Sequence, residues 1–154
     1  MKKNVIVREY VDDDFESLIE LYKNSLTYGG QYDEARDTRD KLLATAEDLC
    51  LFVAAADNEV IGSVMVFDNP HSFWLQRFCI SSDITEESQN DVSRLLLDTT
   101  ERIAQSRGHK SIIIYTNPDN ENLATRYEQL SFTKGGQYSC FWKPIDVAKK
   151  GAIV

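Results

Sequence analysis

The stretch from residue 72 to residue 116 constrains the fold more than any other part of the chain. A strand-like run over 72–80 is followed by Val92, Leu95, Leu96, Thr99 and Ile103 at helical spacing, and then by Ile112-Ile113-Ile114. A helix with one apolar stripe needs a sheet on which to bury it. The isoleucine run is apolar at consecutive positions, so both its faces should be covered, as in a central strand over 111–116. Arg107-Gly108 supplies the glycine that ends the helix.

The remaining elements fall around this unit. Val5 and Val7 mark a short strand over 4–9. Asp12-Asp13-Asp14 offers helix caps, and Phe15, Leu18, Ile19, Leu21 and Tyr22 carry a helix to about Leu26. Tyr28-Gly29-Gly30-Gln31-Tyr32 breaks it, and a weakly periodic second helix is expected over 34–46. Strands over 49–56 and 60–67 flank Asp57-Asn58-Glu59 as a hairpin. Asn117-Pro118-Asp119-Asn120 opens a helix over 122–130. Two strands, 132–134 and 137–143, are expected to close the sheet around a Gly135-Gly136 turn. The expectation is one α+β domain over 1–145, a mixed sheet of about seven strands with helices on both faces, and a tail over 146–154.

Charge narrows the function. The 154 residues carry 17 Lys and Arg against 25 Asp and Glu, a net charge of −8. This argues against nucleic acid and against an anionic membrane surface as partners. Nine acids lie between Asp12 and Asp40 against Lys23, Arg36 and Arg39, which suits either a solvated face or a cleft wall for an amine. Cys50, Cys79 and Cys140 have no metal spacing and read as buried thiols, and His71 and His109 are isolated, so no metal is expected. The first residues lack a signal-peptide apolar stretch, which suggests a cytoplasmic protein.

Two segments carry a family resemblance. Asn122-Leu123-Ala124-Thr125-Arg126-Tyr127-Glu128-Gln129-Leu130-Ser131-Phe132 is similar to the N-x-A-x-x-x-Y-E-x-L-G-F segment of the Gcn5-related N-acetyltransferases (GNAT family). The strand over 75–80 resembles the family's L-E-R-L-x-V strand. The resemblance implies a GNAT-like, acyl-CoA N-acyltransferase fold, with the strands ending near Ile80 and Thr116 splayed around a cleft. It implies acetyl-CoA as cosubstrate and a small amine or protein amine as acceptor, with a homodimer left open. Tyr127 falls on the family's acid, which protonates the leaving thiolate. Phe78, Cys79 and Ile80 fall on the strand along which the cofactor runs, with Asn117 and Asn122 nearby.

Other family positions are altered. The base position on the strand is Gln76, which accepts no proton usefully. Tyr28, Tyr32 and the carboxylates from Asp33 to Asp40 fall at the acceptor wall. The pyrophosphate loop, Q/R-x-x-G-x-G/A in the family, reads Ser88-Gln89-Asn90-Asp91-Val92-Ser93, with Arg94 the first nearby cation; no Gly occurs between Gly62 and Gly108. Asp83, Glu86, Glu87 and Asp91 add negative charge where phosphates would sit. Two functions fit these residues: an acetyl-CoA-dependent N-acetyltransferase with a divergent loop, or a non-catalytic regulatory or interaction module of the same fold with lost or weak coenzyme A binding.

Overall fold

The computed structural model describes residues 4–25 and 32–146. The elements run β1 (Val5–Glu9), a 3-10 turn (Asp12–Asp14), α1 (Phe15–Lys23), α2 (Arg39–Glu47), β2 (Leu51–Ala56), β3 (Glu59–Asn69), β4 (Ser72–Ile80), α3 (Glu86–Ser106), β5 (Ile113–Ile114) and α4 (Glu121–Gln129). The strands form one sheet in the order β1-β2-β3-β4-β5. The pairs from β1 to β4 are antiparallel, whereas β4 and β5 are parallel. The sheet is therefore mixed, as expected, with α3 supplying the crossover that a parallel pair requires.

Each face of the sheet has its own core. Tyr10, Leu18, Tyr22, Leu42, Leu51, Val53 and Cys79 pack together under α1 and α2. Phe52, Val64, Phe73, Leu75, Phe78, Val92, Leu96 and Tyr127 pack on the other side, under α3 and α4. Alternation along the strands divides the two sets: on β4, Phe78 enters one core and Cys79 the other.

Local chemistry explains most boundaries. Asp57 and Asn58 both take positive φ, 50° and 66°, and Ala56 pairs with Glu59 across them. This two-residue turn matches the twist of its strands, and Asp and Asn tolerate the left-handed region best among residues with a Cβ. Gly62 on β3 allows a close approach to α3; a Cβ there would lie 2.7 Å from Val92 Cγ1.

The structure corrects five expectations. Among the described residues the sheet has five strands, not about seven, and β5, expected as a central strand over 111–116, is a half-buried edge strand. Residues 132–134 and 137–143 form no strand, and Tyr138, Phe141, Trp142 and Ile145 are 73, 92, 82 and 85% exposed. β5 is only two residues long, a ladder too short to seat another strand whose ordering costs entropy at every residue. Cys140 is consequently exposed and Cys50 half-buried; only Cys79 is a buried thiol. The second helix begins at Arg39 rather than near 34, because Thr38 caps it by accepting from the Lys41 N–H while 33–37 close into a turn. The long helix begins at Glu86, with Thr85 as its cap, well before its apolar stripe. The expected tail beyond residue 146 and the Tyr28 segment lie outside the described residues, apart from Asp146.

Candidate active site

The strands β4 and β5 pair at only two positions, Trp74 with Ile113 and Leu75 with Ile114. Among the described residues, the β5-facing edge of β4 has no strand partner from Gln76 to Ile80. The two strands part here, leaving an opening in the ladder.

The opposite edge of β4 is interrupted at the same place. Ser63 pairs with Cys79 and Met65 with Gln76, so Arg77 and Phe78 together face Val64 alone. This β-bulge puts Arg77 at φ 49°, a left-handed conformation that a bulky residue adopts only under constraint. Its backbone is thus turned out of the regular ladder directly beside the opening.

Tyr127 stands on α4 next to this strand. Its ring lies 6.3 Å from that of Phe78 and 5.8 Å from that of Phe132, centroid to centroid. Asn120 caps α4 by accepting from the Leu123 N–H, and Asn117 orders the preceding turn by accepting from Asp119 N–H, so Tyr127 projects from a well-anchored helix. Burial, with a smaller contribution from Cys79, pushes the Tyr127 phenol well above its ordinary pKa. The group is therefore protonated across the neutral range. A groove of about 400 Å³ lies between β5, α4 and 132–138 and includes Tyr127, Thr116 and Asn117, but no residue of β4.

The region expected to hold pyrophosphate has a different form from the family loop. Asn90, Asp91, Val92, Ser93 and Arg94 all lie inside α3, and the Ser93 hydroxyl donates back to the Gln89 carbonyl. The helix N-terminus instead falls at Thr85–Ser88, with Glu86 and Glu87 in its first turn. Thr85 Oγ1 accepts from the Ser88 N–H at 3.2 Å. Gln89 donates to the Ile84 carbonyl and accepts from Arg126 of α4 at 2.9 Å, which ties the two helices together beside the opening. Backbone amides at the first turn suit phosphate, but two carboxylates stand among them.

On the other side of β4, Arg77 is bound by Asp37. Its guanidinium donates two hydrogen bonds to the carboxylate, at 2.5 and 3.0 Å, and the side chains are 3 and 2% exposed. The same guanidinium lies 4.5 Å from the Tyr22 ring centroid. The sequence reading missed this pair. Its available signal was the lone charge within a largely apolar strand. Of the expected acceptor residues, Tyr32 is half-buried against the α1–α2 core with Lys23 over its ring, and Gln76 is half-buried on β4. Phe78 and Cys79 are buried with their side chains in opposite cores, Ile80 is half-buried, and Asn122 is exposed in the first turn of α4.

Much of the acidic segment is engaged within the fold. Asp14 accepts two hydrogen bonds from Arg8, at 2.7 and 2.8 Å. Arg39 bridges Asp12 and Glu16. Asp33 Oδ1 accepts from the amides of Ala35 and Arg36, closing the turn that Asp37 docks.

The sequence model of the acetyltransferase (GNAT) family matches residues 15–132. No curated protein matches the chain. Among solved structures, it is similar to Ard1 from Thermoplasma volcanium, at TM-score 0.69 and 17% identity over 86% of this chain and 84% of that one. It is likewise similar to aminoglycoside N-acetyltransferase AAC(6')-Iy in complex with CoA, at TM-score 0.69 and 17% identity over 94% and 98%. A third similar structure is PaiA N-acetyltransferase from Thermoplasma acidophilum in complex with coenzyme A, at TM-score 0.68 and 22% identity over 82% and 88%. The family match spans well over half the sequence: the chain belongs to the GNAT acetyltransferase family.

Proposed function

We propose that this family member transfers an acetyl group from acetyl-CoA to the primary amine of a cationic acceptor, with Tyr127 as the acid. The observation that carries the reading is Tyr127 standing against Phe78 where β4 and β5 part. Acetyl-CoA, when bound, supplies the acyl carbonyl and the thiolate leaving group. The backbone of 78–80, on the unpartnered edge of β4, offers N–H donors to the carbonyl oxygen as negative charge develops there. Asn117 lines the groove between β5 and α4, and Asn122 lies exposed in the first turn of α4, so both are within reach of a cofactor running along Tyr127 on this reading.

The proton balance is simple. The acceptor loses a proton from its ammonium to water, since Gln76 cannot take it and Asp37 is bound by Arg77. The free amine forms the new C–N bond, the C–S bond breaks, and the acylated nitrogen gives up its second proton to water. Tyr127 gives its phenolic proton to the departing sulfur and recovers one from solvent. Burial makes a lasting tyrosinate costly, so the donation and the recovery should be tightly coupled.

The choice of a cationic acceptor rests on Asp33, Glu34 and Asp40, which are exposed and follow the opening of the acidic segment. Isothermal titration with acetyl-CoA, followed by coenzyme A release on polyamines, aminoglycosides and lysine peptides, tests the reading. Binding with turnover on one class supports it. Glu86 and Glu87 at the α3 N-terminus favour a second reading, a non-catalytic interaction protein. No acetyl-CoA binding and no turnover on any amine would establish that alternative.

A further inference from the structure

We infer that the buried Asp37–Arg77 ion pair is a positioning device, holding the acidic turn over 33–40 against β4 and so setting affinity for the acceptor amine. The inference rests on the transferase reading above and assigns a residue-level control to its acceptor side.

Four observations converge on the pair. First, it joins positions 40 residues apart and is almost fully removed from solvent. Stripping water from two ions is expensive, and apolar residues of similar volume would often stabilise a fold as well or better. Stability alone is thus a poor reason to bury them. Second, Arg77 sits at the bulge with φ 49°, beside the opening between β4 and β5. A strained backbone persists where its surroundings hold it, here through Asp37 and the Tyr22 ring. Third, Asp37 Oδ2 also accepts from the Asp33 N–H at 2.9 Å. One carboxylate therefore both closes the turn and docks it. Fourth, the turn presents Asp33, Glu34 and Asp40 to solvent, while Arg39 is taken up by Asp12 and Glu16 of the preceding segment and Lys41 donates to the Ala35 carbonyl. The placement of these exposed acids relative to β4 depends on the Arg77 guanidinium that holds Asp37.

A multiply charged amine recognised by these carboxylates would feel any loosening of the turn. The cofactor side would not, because Phe78 and Tyr127 belong to the opposite core. The consequence is a split: the acceptor constant should move and the acetyl-CoA constant should not.

The experiment compares wild type with Asp37→Asn and with the charge-free double variant Asp37→Ala/Arg77→Met, using spermine as the probe amine. Asp37→Asn strands a buried arginine and could unfold the protein; the double variant removes both charges and keeps the test alive. Expected are a tenfold or greater rise in spermine KM, an acetyl-CoA dissociation constant within twofold of wild type, and faster amide exchange at Ala35 and Arg36. Those two amides donate to Asp33 rather than to Asp37, so their exchange reports the turn rather than the lost Asp37 contact. A spermine KM within twofold, unchanged exchange, or a parallel loss of acetyl-CoA and spermine affinity would overturn the inference. If wild type neither binds acetyl-CoA nor turns over, the transferase reading fails by itself. The spermine dissociation constant then replaces KM, and the same thresholds decide the pair.

Discussion

The two sides of β4 have been built by different means. On the α1–α2 side, buried acids are matched: Asp37 with the buried Arg77, and Asp14 with the half-exposed Arg8 at the base of α1. On the α3–α4 side, charge is left at the helix start unmatched in sign to a phosphate ligand, and the packing is apolar, with Phe78, Tyr127 and Phe132 in ring contact. On the proposed reading, the difference separates an acceptor side from a cofactor side. The acceptor side spends buried charge on holding a turn in place. The cofactor side keeps an aromatic floor and a well-capped helix, and it lacks the glycines that would let a pyrophosphate approach the backbone.

The comparison breaks most sharply at Tyr127. Replacing it with Phe keeps the ring against Phe78 and Phe132 and removes only the hydroxyl. If it is the acid, kcat should fall by about 10²–10⁴-fold, the usual size of general acid assistance. The KM values for acetyl-CoA and amine should change little. Steady-state release of coenzyme A measures both. A variant as active as wild type would leave the cofactor side without its acid and make Tyr127 a packing residue.

The next largest effect concerns how α3 is seated. Gly62→Ala would drive a Cβ to 2.7 Å from Val92 Cγ1 and 3.1 Å from Leu96 Cδ1. Overpacking of this kind typically costs about 1–3 kcal/mol. Denaturant unfolding should show that loss at unchanged m-value, and acetyl-CoA affinity should fall because the α3 N-terminus is displaced. A variant with wild-type stability would mean that this contact relaxes freely, and that α3 is not fixed by its approach to β3.

These residues also show what was legible in the sequence. The Asp57-Asn58 hairpin, the β4–α3–β5 unit and the Tyr127 helix were legible because their signals are local: turn chemistry, apolar period and a capped entry. The start of α3 was not. Its apolar stripe begins at Val92, so the polar turns from Glu86 to Asp91 read as a loop, and aligning them to a glycine pattern strengthened that error. The last two strands failed for a different reason. Their alternation was present, but a strand exists only where a neighbour offers a ladder, and β5 offers two residues. Asp37 and Arg77 were out of reach of any local rule, since a contact across 40 residues is a property of the fold. Asn90 to Arg94 were candidates through the glycine alignment alone, and their place inside α3 transfers attention to Thr85, Glu86 and Glu87.

A smaller effect sharpens the contrast at that helix start. Glu86→Gln/Glu87→Gln removes two charges near the proposed phosphates. At the separation of near neighbours in water, each like-charge contact costs about 1 kcal/mol. Acetyl-CoA affinity should rise by roughly fivefold or more at low salt by that arithmetic, and the gain should shrink as salt screens it. The same acids favour the helix N-terminus by about 0.3–1 kcal/mol each, so stability should drop slightly as affinity improves. Isothermal titration at two salt concentrations measures the first, thermal unfolding the second. Unchanged affinity would show that the pyrophosphate lies away from this turn. The substitution is cleaner than Asp91→Gly, which would put glycine inside a helix.

The smallest effect is a pH dependence on the α1 side. Burial alone would raise the Asp14 carboxyl, but the Arg8 hydrogen bonds and the Val11 N–H hold it below the ordinary carboxylate range. Unfolding returns the group to about 3.9. The folded state therefore binds this proton less readily than the unfolded state does, and the resulting stability is fully present above the unfolded value. It is lost as pH falls through the folded pKa. Arg8→Met should abolish most of this dependence while leaving spermine KM unchanged, because Arg8 ties β1 to the start of α1 and does not touch the 33–40 turn. Urea unfolding of both proteins between pH 2 and 6 measures the slope. If Arg8→Met raises spermine KM as much as the Asp37 variants do, the two buried pairs act as one unit, and the acceptor side has no dedicated positioning element.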